Sequence, residues 1–365
     1  MRIAVDARPF GAERTGVGRY LEGLLPAWLG AFPGDRIFLL SPRPVRLPEA
    51  LAGSVEVRPG QSRLPGTLWL QSSAPIEAVR CRADVFFAPL AIVPLASPVP
   101  CVATVHDLTP FLFPEWHTRR NRLAFDSLVG SSVRKAKALF CVSRATERDL
   151  LTAFPEADGK SFVVPNGLTP PHGGAGAGGG EPGAEGRPYV LSLATREPRK
   201  NLGRLLRAME SLWDEDPGFP DLVVAGGSGW GSDEAVRAIE GSRHRDRVRL
   251  LGWVEPAEAS RLLSGARLLA YPSLYEGFGL PVLEAMAAGT VVVASASSSL
   301  PEVAGDAALL PDPTDAGAIA RAIETAHRDE AFRAEAVRKG RERARLFTWD
   351  AAARSMRPRF EEAAR

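Results

Sequence analysis

The stretch "RLLAYPSLYEGFGLPVLEAMAAGTVVVAS", Arg267 to Ser295, holds a strand, a loop, a short helix and a second strand in one run. "RLLAYPS" is apolar and short enough to be a buried strand, and "VVVAS" is β-branched and reads as another. Between them Pro281 fits the first helical position, Ala285 to Ala288 continue the helix, and Gly289 ends it. "LYEGFGL" is then the loop at the carboxyl end of the first strand. Glu276 lies outside the helix and Glu284 about one turn inside it. Helical side chains lean toward the N-terminus, so Glu284 points back toward the loop. Gly277 and Gly279 keep side chains away from the amides of Phe278 to Leu280, so a ligand can approach that backbone closely. An isolated glutamate at the position of Glu284 is read more simply as a carboxylate favouring the helix dipole.

The same texture extends in both directions. "RIAVDA", "RIFLLS", "DVFFAP", "CVATVHD", "ALFCVS" and "SFVVP" are short β-rich runs in the first half, with helical patterns at 18–31 and 119–136. "YVLSLA", "DLVVAGG", "VRLLGW", "RLLAYPS" and "VVVASAS" follow in the second, with helices expected at about 201–213, 232–241, 256–264 and 281–288. Apolar strands alternating with helices predict parallel sheets covered on both faces, in two Rossmann-like α/β domains facing one another. The Gly/Pro/Ala-rich run at 169–187 reads as a flexible linker between domains at 1–168 and 188–345. The tail from Asp315 is helical, and Thr348 is the expected N-cap of a last helix within 346–365.

Composition is that of a soluble globular protein of 365 residues, 45% hydrophobic and 24% charged. The three cysteines, Cys81, Cys101 and Cys141, form no CxxC pair, which argues against a disulfide framework or zinc site and for a reducing compartment. The N-terminal run has no apolar core of signal-peptide type, and no span reaches the ~18 apolar residues of a membrane helix, so the expected location is cytoplasmic. Residues 1–170 carry 20 basic against 15 acidic side chains and the remainder 25 against 28, giving the net +2. A mildly basic first half suits a phosphate-bearing or anionic partner as well as it suits ordinary solvated arginines. No nucleic-acid partner is expected.

Ligands in doubly wound folds bind at the carboxyl ends of strands, so the strand-to-helix loops are where chemistry belongs. "RPFGAERTGVGRY" places Gly16 and Gly18 just before a helical pattern, as an anion site at a helix N-terminus or as a flexible turn. Neither this loop nor "GGSGWG" at 226–231 meets the GxGxxG spacing, which removes the main support for a nicotinamide dehydrogenase. "VATVHDLTP" puts His106 at a strand end, able to bond a sugar hydroxyl or share a proton, or simply solvated. "ATREPRKNL" gathers Arg196, Arg199 and Lys200 beside a helix N-terminus, a cluster suited to a diphosphate. The one D-x-D, Asp214–Asp216, lies in a Pro/Gly turn at the far end of the strand, so no metal site is expected there.

"EGFGLPVLEAMAAGTVVVAS" resembles the Glu-x7-Glu signature of retaining family 4 glycosyltransferases, whose fold is GT-B. "DARPFGAERTGVGRY", "VHDLTP", "CVSRATERDL", "VVPNGL", "EPRKNL" and "LPEVAGDAALLPDP" are similar to that family in the expected order, so the resemblance covers nearly the whole chain. The branch it most resembles includes mannosyltransferases of surface-polysaccharide assembly. The resemblance implies that Glu276 holds donor-sugar hydroxyls, helped by the amides of Phe278, Gly279 and Leu280, and that Glu284 bonds the ribose. It implies that Lys200, with Arg199 or Arg196, neutralises the departing diphosphate near the Gly16–Gly18 loop. His106 would lie close to the transferred sugar, Trp253 and Val254 would flank the base, and the last helix would cross back onto the N-terminal domain. The expected reaction is metal- and cofactor-free retaining transfer of a hexose from a nucleotide sugar, GDP-mannose favoured, to a glycan, lipid-linked or small-molecule hydroxyl. The alternatives are a GT-B nucleotide-sugar epimerase, or glucosyl or N-acetylglucosaminyl transfer from a UDP-sugar. Two departures stand out. Thr195 occupies a position where many relatives carry arginine, and the glycine-rich linker is longer than usual. The basic helix "TRRNRLAFDSLVGSSVRKAK" could rest on an anionic membrane to meet a lipid-linked acceptor, or be a solvated face.

Overall fold

The computed structural model describes residues 1–11, 16–60, 62, 64–113, 128–169 and 187–365. Residues 170–186 of the glycine-rich linker and the first half, 118–127, of the basic run at 118–137 lie outside these, and 128–135 is helical. The chain divides into two compact units, Met1–Gly167 with Thr348–Arg365, and Leu168–Phe347.

The first unit is built on seven parallel strands: β1 (Arg2–Asp6), β2 (Arg36–Ser41), β3 (Glu56–Pro59), β4 (Val85–Ala88), β5 (Cys101–Val105), β6 (Ala138–Cys141) and β7 (Ser161–Val163). Their order is β3-β2-β1-β4-β5-β6-β7. The strands are apolar at consecutive positions because both faces are covered. Ile3, Val5, Ile37, Leu39 and Phe87 enter the core beneath the Gly16–Ala31 helix and the last helix. Ala4, Phe38, Leu40 and Phe86 enter a second core with the Gly66–Arg80 helix. Parallel sheets impose this double coverage, and it is what the continuous runs in the sequence encode.

The last helix, Trp349–Ala363, is capped by Thr348, whose hydroxyl accepts from Ala351 N at 3.1 Å. It lies so close to the Gly16–Ala31 helix that a Cβ on Gly23 would sit 2.1 Å from the Trp349 indole. Buried Asp35 ties the two together, accepting from Trp28 Nε1 at 2.9 Å and from Arg357.

The second unit has six parallel strands: β8 (Tyr189–Leu193), β9 (Asp221–Ala225), β10 (Val248–Gly252), β11 (Leu268–Tyr271), β12 (Val291–Ala294) and β13 (Ala308–Leu309). The order is β10-β9-β8-β11-β12-β13, so the winding direction reverses between β8 and β11. In such sheets the crevice outside the strand ends at the reversal is where ligands sit. Helices Leu202–Glu215, Ser232–Glu240, Pro256–Gly265 and Leu280–Ala288 stand where the periodicity places them. Pro281 occupies the second rather than the first helical position, because Gly279 is the N-cap and Leu280 opens the helix. A missing N–H costs nothing at either position. Gly289 closes the helix with φ 80°, its amide donating to the Ala285 and Met286 carbonyls.

Candidate functional site

Two loops meet at the β8/β11 reversal. The first leaves β8, makes a single 3-10 turn at Pro198–Lys200, and enters the Leu202–Glu215 helix through Asn201. Asn201 adopts the left-handed region, φ 62° and ψ 30°, which asparagine tolerates better than most residues. Its buried amide donates to Pro272 O at 2.9 Å and Pro313 O at 2.7 Å, fastening the β8 loop to the loop after β11 and to the 312–315 turn. Leu274 N donates to Arg199 O at 2.7 Å, a second fastening of the same pair of loops.

The loop after β11, Pro272–Gly279, is held from beneath by the serines that follow β12. Ser298 accepts from Glu276 N at 2.8 Å, Ser299 donates to the carbonyls of Glu276 and Phe278, and Ser295 and Ser297 donate to Ser273 O. Ser298 takes φ 48° to do this. Gly279 needs its glycine for two reasons: φ is 108°, and a Cβ would sit 2.6 Å from Leu300 Cδ2. Phe278 turns its ring inward, edge-on to Phe347.

These loops bring Lys200, Arg199 and Glu276 together. Lys200 Nζ donates to Glu276 Oε1 at 2.5 Å and to the Tyr271 hydroxyl at 2.8 Å. Arg199 donates to the other Glu276 oxygen at 2.9 Å and to Glu197 at 2.6 Å. Glu276 is 6% exposed. Burial alone would raise its pKa, but the adjacent charges of Lys200 and Arg199 outweigh it and hold the carboxyl at about 2. Lys200 responds the other way. Burial lowers its pKa, the Glu276 charge only partly restores it, and neighbouring Arg199 adds to the fall. The result is a desolvated ion cluster set by two loops at the mouth of the sheet.

Arg196 does not join this cluster. Its backbone bridges to Ser228 in the loop after β9, and its guanidinium donates to Ser228 Oγ at 2.7 Å, leaving Nε buried without a hydrogen-bond partner. Proximity in sequence suggested one cationic cluster; the β-bridge instead turns Arg196 toward β9. That loop packs hard on the 194–198 backbone. At Gly226, φ 148°, a Cβ would lie 1.9 Å from Ala194 O. Val254 follows β10 and is half-buried beside Trp253, which is 59% exposed. Glu284 is half-buried in the Leu280–Ala288 helix. The D-x-D carboxylates are engaged elsewhere: Asp214 with Arg243 and His244, Asp216 with Arg328.

His106, Gly16 and Gly18 belong to the first unit. Gly16 and Gly18 do not precede the helix as their spacing suggested; they form its first turn, and Gly18 is buried. His106 follows β5, and its Nε2 lies 2.9 Å from Pro89 O in the loop after β4. A carbonyl only accepts, so Nε2 carries the proton and Nδ1 presents a lone pair. The ring meets Tyr20 edge-on at 4.9 Å, and desolvation lowers its pKa, favouring the neutral form.

The roles of Asn201, Tyr271 and Ser295–Ser299 were not read from the sequence. Only the fold shows which distant groups they serve.

The family model for Glycosyltransferase Family 4 matches residues 14–170, and that for Glycosyl transferases group 1 matches residues 180–343. The O-antigen chain mannosyltransferase B of Escherichia coli is 32% identical over 254 residues, covering 68% of this chain and 67% of that protein. The chain belongs to glycosyltransferase family 4. It spans only 19–20% of the length of some other, longer mannosyltransferases that it matches. Among solved structures, a sucrose-phosphate synthase from Thermosynechococcus elongatus is similar at TM-score 0.76 with 21% identity, covering 99% of this chain and 98% of that one. Anabaena HepE in complex with UDP-glucose is similar at TM-score 0.70 with 19% identity, covering 99% of each chain. These likenesses identify the fold as GT-B, and the enzyme is a glycosyltransferase. Among the described residues no helix is long and apolar enough to cross a membrane.

Proposed function

We propose that this glycosyltransferase moves a hexose, with mannose favoured, from a nucleoside-diphosphate sugar to a hydroxyl of a glycan, lipid-linked or small-molecule acceptor, with retention of anomeric configuration. The observation that carries the proposal is the Lys200–Glu276–Arg199 cluster at the β8/β11 reversal. Lys200 and Arg199 face the developing charge on the departing diphosphate. Glu276 accepts from donor-sugar hydroxyls, and the backbone at Phe278–Leu280 lines the corner between sugar and nucleotide. Glu284 bonds the ribose, Val254 flanks the base, and Arg196 steadies the β9 loop beside them. His106 Nδ1 accepts from a hydroxyl of the transferred sugar, and the first-turn amides of Gly16 and Gly18 favour phosphate. The acceptor hydroxyl attacks the face that the diphosphate leaves, and a leaving phosphate oxygen takes its proton. Cations and dipoles fixed beforehand stabilise the transition state without reorganising, which is the largest lever such a site has. GDP-mannose is the favoured donor because the O-antigen relative is named a mannosyltransferase; HepE, remote in sequence, was solved with UDP-glucose.

A thermal-shift panel of nucleotide sugars tests the donor, since a ligand that binds only the folded state raises stability by mass action. GDP-mannose is expected to give the largest shift. Stabilisation by UDP-sugars alone would overturn the mannosyl assignment.

A further inference from the structure

Tyr271 ends β11 directly beneath the ion cluster, 3% exposed. Its hydroxyl accepts from Lys200 Nζ at 2.8 Å, and Nζ lies 5.1 Å from its ring centroid. An ammonium has three N–H donors on a rotatable stem. One acceptor leaves it free to swing, whereas two fix Nζ and the direction of the third N–H. Here the two are Glu276 Oε1 and the Tyr271 hydroxyl. The two acceptors differ in kind: the carboxylate cancels charge and the phenol does not. Burial, reinforced by the Glu276 charge, raises the phenol's pKa well above its ordinary value, so the second acceptor stays neutral.

We infer that Tyr271 is a positioning residue, which holds the Lys200 ammonium by a neutral hydrogen bond so that its remaining N–H meets the phosphate oxygens of the leaving nucleoside diphosphate. The inference rests on the reading that Lys200 contacts the donor diphosphate. The charged and titratable groups facing Lys200 are Glu276, Arg199, Glu197 and Tyr271 itself. Removing the Tyr271 hydroxyl leaves the other three in place.

Calorimetric titration of GDP and UDP separates the two ideas, using wild type, Tyr271→Phe, Lys200→Met and the double variant from neutral pH to about pH 10. Tyr271→Phe is expected to weaken binding of the preferred nucleotide by about tenfold, as loss of a hydrogen bond to a charged group does. The alkaline limb of its binding profile is expected to move to lower pH, because a buried ammonium with one acceptor fewer deprotonates sooner. In the Lys200→Met background the same substitution is expected to change nothing further. Wild-type binding and an unmoved alkaline limb in Tyr271→Phe would overturn the inference, as would an equal loss with and without Lys200. If Tyr271→Phe alone does not fold, the double variant, which buries no ammonium, decides by the same comparison with Lys200→Met. Lys200→Met binding both nucleotides as tightly as wild type would overturn the diphosphate reading, and the inference with it.

Discussion

Glu276 is a carboxylate almost without water, kept ionised by two cations that are themselves partly desolvated. Burying charges costs more than their attraction returns unless every partner is in place, and here Lys200 and Arg199 both are. Its acid response follows from the sign of the shift. A carboxyl whose folded pKa is below its unfolded value of about 4.3 contributes stability above that value and loses it as pH falls toward the folded one. Held at about 2 in the fold, Glu276 should contribute about 3 kcal/mol near neutrality, lost between roughly pH 4 and pH 2. Urea titrations over that window should show the loss in wild type and a flatter acid limb in Glu276→Gln, whose unfolding midpoint should already be lower at pH 7. The type and position of Glu276 were legible in the sequence because the glycines and Pro281 mark the loop and helix around it. Its partners were legible only in part. Arg199 and Lys200 stand where the cluster was expected, while a β-bridge to Ser228, invisible to local sequence, turns Arg196 away.

At the scale of elements, the cluster exists because two loops from distant strands are fastened together. Asn201 carries two buried hydrogen bonds across that seam from a left-handed backbone position. Asn201→Ala leaves two carbonyls unpaired and should destabilise the protein by about 2–4 kcal/mol, with activity falling further than the loss of folded protein explains. Denaturant unfolding and turnover of the folded fraction check the two parts separately. Gly226→Ala is the sharper backbone test. A Cβ 1.9 Å from Ala194 O at φ 148° cannot be accommodated without moving the β9 loop, so a loss above about 3 kcal/mol is expected. A melting temperature equal to wild type would show that this loop gives way freely. Elements with a strong period were legible beforehand, whereas short or mixed ones were not. β3 and the two-residue β13 pair only at sheet margins and carry too few apolar residues to announce a strand. The Gly66–Arg80 helix hides behind an internal Pro75 and a diffuse apolar pattern.

At the scale of the molecule, each unit carries its own core, and the last helix is part of the first one. Phe360 is 1% exposed, stacked on Phe140 and edge-on to Phe87. Phe360→Ala should cost about 3–5 kcal/mol in the unit to which it belongs, read by calorimetry as a lowered transition for the unit of residues 1–167 and 348–365. The two-sheet plan was legible because parallel sheets require apolar residues on both faces of each strand, and few other folds write such runs. The reaction was legible only through the order of its motifs, since pocket chemistry and not topology chooses the sugar. In the proposed function Glu276 grips the sugar while the cations beside it grip the diphosphate. Titrating GDP-mannose and GDP into wild type and Glu276→Gln tests that division most directly. The substitution is expected to weaken GDP-mannose at least about tenfold while GDP stays within about threefold, a selective loss of roughly one hydrogen-bonded charge. Equal weakening of both ligands, or of neither, would contradict it.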